Sequence, residues 1–157
     1  MTTPNPKPAN SKARAVARLS AVQALYQYDM EGTKLPRLLD EFHQHRLGRE
    51  IDDEVDDTLY AEAEGAFFDD LVTGTIARRD EIDELVAGKL AEGWKLTRLD
   101  KTMLQVLRVG TYELLARADV PTGAAINEYI DVARAFFDTR EAKFVNGVLD
   151  AVAKAVR

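Results

Sequence analysis

The first helix-forming segment carries basic residues at a spacing suited to holding phosphate groups. Residues 1–28 contain four basic side chains, those of Lys7, Lys12, Arg14 and Arg18, and no acidic residue. The whole chain has a net charge of −6, so the rest carries −10, since −6 minus +4 is −10. Arg14 and Arg18 are four residues apart at one border of an apolar stripe, so on a helix both can reach the same strand of phosphates. The pattern indicates a local polyanion site that the overall acidity conceals. An ordinary solvated segment remains the alternative on charge alone.

Two aromatic residues stand near basic ones and could stack on unpaired bases. Tyr26 follows Arg18 by two helical turns, and Phe144 directly follows Lys143. Stacking on an aromatic ring contributes about 1–3 kcal/mol per base. Arg140 and Lys143 share one polar face with Asn146, so this face could continue the basic groove or could simply be solvated. Both aromatic residues also fit core stripes, so periodicity by itself favours core packing for each of them, with base stacking as the alternative.

The residue types and spacings that catalysis, cofactors and metals require are mostly missing. The chain lacks cysteine, phosphate-binding glycine motifs, an HExxH pair and a GxSxG elbow. His43 and His45 are two residues apart, so they would point in different directions on a helix. The acidic run at 50–57 lacks the glycine and the final glutamate of a calcium-binding loop. We therefore expect no enzymatic activity, no metal site and no cofactor. An enzyme whose acid–base residues are distant in sequence and meet only in the fold remains an alternative.

The elements that must position these residues are all predicted to be helices. Apolar residues recur at steps of three and four, whereas alternating runs typical of strands are nearly absent. We predict an all-α fold of about seven helices, with a disordered tail at 1–10 and a single helical domain at 11–157. The predicted helices cover 11–28, 37–45, a long segment from 66 to about 90 with a break near Gly88, 100–117, 121–137 and 140–157. An acidic connection is predicted to reach Gly65.

Several residues are expected to define helix ends and helix contacts. Asp100 should cap the helix that follows it, and Pro121 suits a first helical turn. Gly110 and Gly147 should permit close approach of another helix, since a helical glycine otherwise costs up to about 1 kcal/mol. Asn127 and Asn146 could be buried hydrogen-bonding residues that fix helix packing.

The length and composition predict a soluble chain in the cytoplasm. The chain has 157 residues, of which 46% are apolar and 31% charged, values typical of one compact domain. No uninterrupted apolar stretch approaches the roughly 18 residues of a membrane span, and the proline-rich start does not resemble a secretory signal.

Three segments in one order resemble the bacterial NusB family of transcription antitermination factors. They are RLSAVQALY at 18–26, LRVGTYEL at 107–114 with DVP at 119–121, and AINE at 125–128 followed by KFVNGVLD at 143–150. The resemblance spans about residues 11–157. It implies two three-helix bundles with connecting helices and no catalysis.

The resemblance also implies partners and a site. Family members bind the boxA element of nascent RNA together with NusE, a small-subunit ribosomal protein, and act on RNA polymerase with other Nus factors, notably in ribosomal RNA operons. The arginine-rich N-terminus of the family corresponds here to a stretch with only three basic residues. The NusE surface is expected within roughly residues 75–110. The expected RNA-binding residues are Lys12, Arg14, Arg18, Tyr26, Arg140, Lys143 and Phe144.

One rival hypothesis comes from a different functional class. A helical protein-interaction scaffold, or a homodimer that covers the basic face, would carry the same arginines without recognising RNA directly.

Overall fold

A computed structural model describes the backbone of residues 9–45, 47 and 57–157, and the side chains of 11–45, 47 and 64–157. Over these residues the chain forms seven α-helices, one short 3₁₀ helix and no strand, which confirms the predicted all-helical fold. The α-helices are α1 (Ala9–Glu31), α2 (Leu35–His45), α3 (Asp57–Ala77), α4 (Arg79–Ala87), α5 (Lys101–Ala116), α6 (Thr122–Phe136) and α7 (Thr139–Val156). The 3₁₀ helix spans Leu96–Arg98.

The helices are arranged as two groups of three. Helices α1, α2 and α3 pack on one another, as do α5, α6 and α7, while α4 connects the groups. Helix α5 also contacts α1 and α3, and every residue from Met103 to Leu114 is buried. The two groups therefore share one continuous apolar core around α5.

The ends of α5 and α6 follow from local side-chain chemistry. The Asp100 carboxylate accepts hydrogen bonds from the backbone N–H groups of Thr102 (2.8 Å) and Met103 (3.1 Å), so the predicted cap is confirmed. Pro121 directly precedes α6. The fixed φ of Pro121 is compatible with a helix start, and the absence of an N–H is harmless there.

Some predicted boundaries and contacts were wrong. Helix α3 begins at Asp57, whereas a connection was predicted up to Gly65. Alanine and glutamate at 61–64 are strong helix formers, and the acidic composition hid that signal. The predicted tail at 1–10 lies mostly outside the described residues, except that α1 begins at Ala9. Of the acidic 50–64 segment, residues 50–56 also lie outside them, and residues 57–64 form the start of α3.

The two glycines that were expected to permit close helix contact differ in their surroundings. A Cβ on Gly110 would lie 2.9 Å from a methyl group of Leu149, so α7 does approach α5 closely there, as predicted. A Cβ on Gly147 would meet nothing within 4 Å, so the close contact predicted for that residue was wrong.

Among the described helices, none combines the length and the apolar character needed to cross a membrane.

Candidate nucleic-acid interface

Arg18 is buried in the core instead of facing solvent. Its side chain is 4% exposed, and its Nε and Nη2 donate to the two carboxylate oxygens of Glu113 at 2.9 and 2.7 Å. The Tyr129 hydroxyl donates to the same carboxylate at 2.7 Å, and Glu128 lies 3.6 Å from Arg18. Burial opposes the charge of Arg18, but the hydrogen bond and charge of Glu113 outweigh it and raise the pKa of Arg18.

The group formed by Arg18, Glu113 and Tyr129, which we call the core cluster, joins α1 to α5 and α6. Burial and the charge of Glu113 also raise the pKa of Tyr129 well above its ordinary value, so the phenol stays neutral. Because the Arg18 guanidinium is enclosed and already paired with carboxylates, its placement does not fit the predicted contact with phosphate.

Arg14, one turn earlier, lies at the surface. Its side chain is 35% exposed, its Nη2 lies 3.4 Å from Asp119, and its guanidinium stacks over the Phe67 ring at 4.8 Å. Lys12 is also exposed. These two residues can reach an RNA strand without disturbing the core.

Tyr26 borders a cleft lined by residues of α1, α2, α5 and α6. Its ring is 39% exposed, as is that of Phe136 at the end of α6, and both rings line a cleft of about 330 Å³. The polar side chains of Gln23, Gln27 and Glu31 line the same cleft. Two accessible rings beside amide and carboxylate groups offer both stacking surfaces and hydrogen-bonding groups to an unpaired base.

Phe136, which Phe137 directly follows, was not among the residues expected from the sequence to bind RNA. Adjacent residues on a helix point in directions about 100° apart. This difference in direction indicates that one of the two rings could face solvent.

The predicted basic face on α7 is present at the surface. Arg140 and Lys143 are exposed, while Phe144 is half-buried and packs against the core. Asn127 and Asn146 are both exposed, so their predicted role as buried hydrogen-bonding residues was wrong. Helical periodicity places residues on faces but does not state which polar face another element covers.

A second cleft is lined partly by residues of the 75–110 range expected to bind NusE and partly by residues 28–35. It has a volume of about 800 Å³, and its lining includes Lys34, Arg79, Lys101 and Arg108 together with Asp29 and Asp83. Arg108 is held at 2.8 Å by each of the two aspartates. The side chains of α1, α4 and α5 therefore meet at this cleft through fixed ion pairs.

Neither His43 nor His45 lies in a described group of side chains that could bind a metal ion. His43 lies 2.6 Å from Asp69, and His45 is exposed. Within the part of the chain that the structure describes, no three His, Cys, Asp or Glu side chains are placed to share a metal ion.

Comparison with known proteins identifies the family. The NusB family model matches residues 15–154. The transcription antitermination protein NusB of Novosphingobium aromaticivorans is 67% identical over 148 residues, which cover 94% of this chain and 97% of that protein. The corresponding protein of Sphingopyxis alaskensis is 56% identical over 147 residues, covering 94% and 96%. The chain belongs to the NusB family.

Solved NusB structures share the fold. T. maritima NusB superposes with a TM-score of 0.69 at 32% identity, covering 98% of this chain and 93% of that one. A crystal structure of antitermination factors NusB and NusE in complex with dsRNA gives a TM-score of 0.70 at 27% identity, covering 92% and 98%.

Proposed function

We propose that this chain is an RNA-binding transcription antitermination factor that binds boxA RNA of nascent ribosomal RNA transcripts together with NusE. Membership of the NusB family supports this function, as does the similarity to a structure of NusB and NusE with RNA. The protein acts as an adaptor without catalysis.

The cleft beside Tyr26 is the observation that carries the proposal. Aromatic rings exposed on a charged helical protein are available to stack on bases. Phosphates alone provide no sequence information, so a site that reads boxA needs such groups in addition to basic ones. Lys12, Arg14, Arg140 and Lys143 supply charge, and the accessible part of Phe144 offers another ring.

We also propose the wider assembly. The complex with NusE acts on RNA polymerase with the other Nus factors, which places the protein in the cytoplasm. The cleft that includes Arg79 and Lys101 lies where the NusE surface is expected. A homodimer stays a prediction, and light scattering at several concentrations with and without boxA RNA tests it.

The decisive experiment measures binding of boxA and scrambled RNA oligonucleotides to the chain together with NusE. Wild-type protein should prefer boxA. Tyr26→Ala should lose about 1–3 kcal/mol of binding free energy toward boxA and less toward the scrambled oligonucleotide. The thermal melt should change little because the ring is half-exposed.

Trp94→Ala is the matched control, because Trp94 is 56% exposed but does not line the cleft beside Tyr26. Because Trp94 lies within the residues expected to bind NusE, the two variants are compared on the chain without NusE. There Tyr26→Ala should weaken RNA binding and Trp94→Ala should change it little. Equal binding of boxA and scrambled RNA by the wild-type complex would refute the proposed function. Normal binding by Tyr26→Ala would remove this cleft from the site.

A further inference from the structure

Two surface arginines from distant parts of the chain converge on a single carboxylate. Arg117 Nε and Nη2 donate to the two oxygens of Asp119 at 3.1 and 3.2 Å, which is a two-pronged contact. Arg14 Nη2 donates to the Asp119 Oδ2 atom at 3.4 Å from the other side. Asp119 therefore accepts hydrogen bonds from guanidinium groups of α1 and of the segment that follows α5.

The Phe67 ring positions both guanidinium groups. Their central carbons lie 4.8 Å (Arg14) and 5.1 Å (Arg117) from the ring centre. Arg117 is held on its far side by Asp70 at 3.3 Å. Since Asp70 occupies only the Nη1 of Arg117, the Nε and Nη2 edge is directed toward Asp119 and would face solvent if Asp119 moved.

All three participants are accessible. The side chains of Arg14, Arg117 and Asp119 are 35%, 27% and 52% exposed, in contrast to 4% for Arg18. Slight burial acts to raise the pKa of Asp119, but the hydrogen bond and charge of Arg117, with the charge of Arg14, lower it. Asp119 is therefore an anion held between two cations at neutral pH.

We propose that Arg14 and Arg117 form a binding site for a backbone phosphate of RNA, and that Asp119 occupies this site in the free protein. This inference rests on the proposed function and adds Arg117 and Asp119 to it. A guanidinium edge binds carboxylate and phosphate with the same two-pronged geometry, so the place of one oxyanion suits the other. Asp119 lies in the loop between α5 and α6, where rotation of its side chain clears the site without moving a helix.

The remaining charges around the site favour an anion once Asp119 has moved. Arg14 and Arg117 then face the site, and Asp70 remains hydrogen-bonded to Arg117. Arg18, which also stacks on Phe67, is already balanced by Glu113. The site therefore has a net positive charge toward an incoming phosphate.

The test compares Asp119→Asn with Asp131→Asn in titrations of RNA at two salt concentrations. Asp131 is 58% exposed and pairs with Arg134 one turn away on α6, so its substitution changes the net charge by the same amount elsewhere. Asp119→Asn should raise affinity about fivefold, because it releases the two surface ion pairs that Asp119 makes with Arg14 and Arg117. One further neutralised phosphate should steepen the salt dependence of log affinity by about 0.7.

The gain should be equal for boxA and scrambled RNA because phosphate contacts are independent of base sequence. Asp131→Asn should change affinity less than about twofold. In the double variant Asp119→Asn/Arg117→Met the gain should disappear, with thermal melts confirming that each variant is folded.

Three results would overturn the inference: no gain for Asp119→Asn, an equal gain for Asp131→Asn, or a gain that persists without Arg117. The proposed function fails separately, if the wild-type complex does not prefer boxA. In that case the gain measured on scrambled RNA still decides whether the phosphate site exists.

Discussion

Arg14 and Arg18 stand one turn apart on α1 and stack on the same Phe67 ring, yet they belong to opposite environments. Arg18 is enclosed with Glu113, whose side chain is fully buried. Arg14 pairs with Asp119, which is 52% exposed on a loop. The same residue type, at the same spacing from the apolar stripe, thus forms a core ion pair in one case and a surface one in the other.

This difference shows that the burial of its carboxylate partner determines whether each arginine stabilises the fold or is available to a ligand. A buried pair left with one member missing keeps an uncompensated charge away from water, at a cost of several kcal/mol. A surface pair can exchange its partner for water or for another anion at little cost. Arg18 therefore stabilises the fold, while Arg14 is available to a ligand.

The largest expected effect is the difference in folding stability between variants of Arg18 and Arg14. Arg18→Met should lower the free energy of unfolding by about 3–5 kcal/mol, because Glu113 would keep a buried charge without its guanidinium partner. Arg14→Met is the matched control and should cost less than about 1 kcal/mol. Urea denaturation followed by circular dichroism measures both. Similar losses for the two variants would contradict the assignment of Arg18 to the core.

A smaller effect on stability should distinguish Tyr129 from Tyr112, each of which donates a hydrogen bond to a carboxylate. Tyr129 donates to the buried Glu113 at 2.7 Å, and Tyr112 donates at 2.6 Å to Asp70, which is 35% exposed. Tyr129→Phe should cost about 1.5–3 kcal/mol, since a buried charged acceptor loses a donor. Tyr112→Phe should cost about 0.5–1.5 kcal/mol because water can reach Asp70. The same urea titrations test this order, and a reversed order would contradict it.

The smallest effect concerns alkaline pH. Burial, together with the hydrogen bond to Asp70, raises the pKa of Tyr112 to about 12 from an ordinary value of 10.0. Its stabilising contribution is therefore complete below pH 10, where both states are protonated. Above that pH the unfolded state ionises first, so the contribution is lost as pH rises toward about 12.

Urea midpoints measured from below pH 10 to about pH 12 check this dependence. The midpoint should fall less steeply for Tyr112→Phe than for wild type. Some decline should persist in that variant because the pKa of Tyr129 is raised as well. Parallel curves for the two proteins would show that Tyr112 does not contribute.

Much of the fold could be predicted because helix signals are local. The apolar spacing in α1 and α5, the Asp100 cap and Pro121 before α6 each act within a few residues, so they are visible without knowledge of the neighbours. The site could be predicted only in part. Tyr26 and Arg14 are accessible, as a role in binding requires, and so is Phe136, which was not singled out. Arg18, which was expected to bind RNA, is buried.

The residue pattern alone was enough to predict the helical architecture and, through RLSAVQALY, LRVGTYEL and KFVNGVLD, the family. Which polar residues face water depends on contacts between helices that are distant along the chain. Glu113 is 95 residues away from Arg18 along the chain, and it is this distant carboxylate that encloses Arg18 in the core. Within the described residues, Gly147 and Asn146 likewise stay uncovered. Such exposure depends on how the helices pack on one another and not on the spacing of residues within one of them.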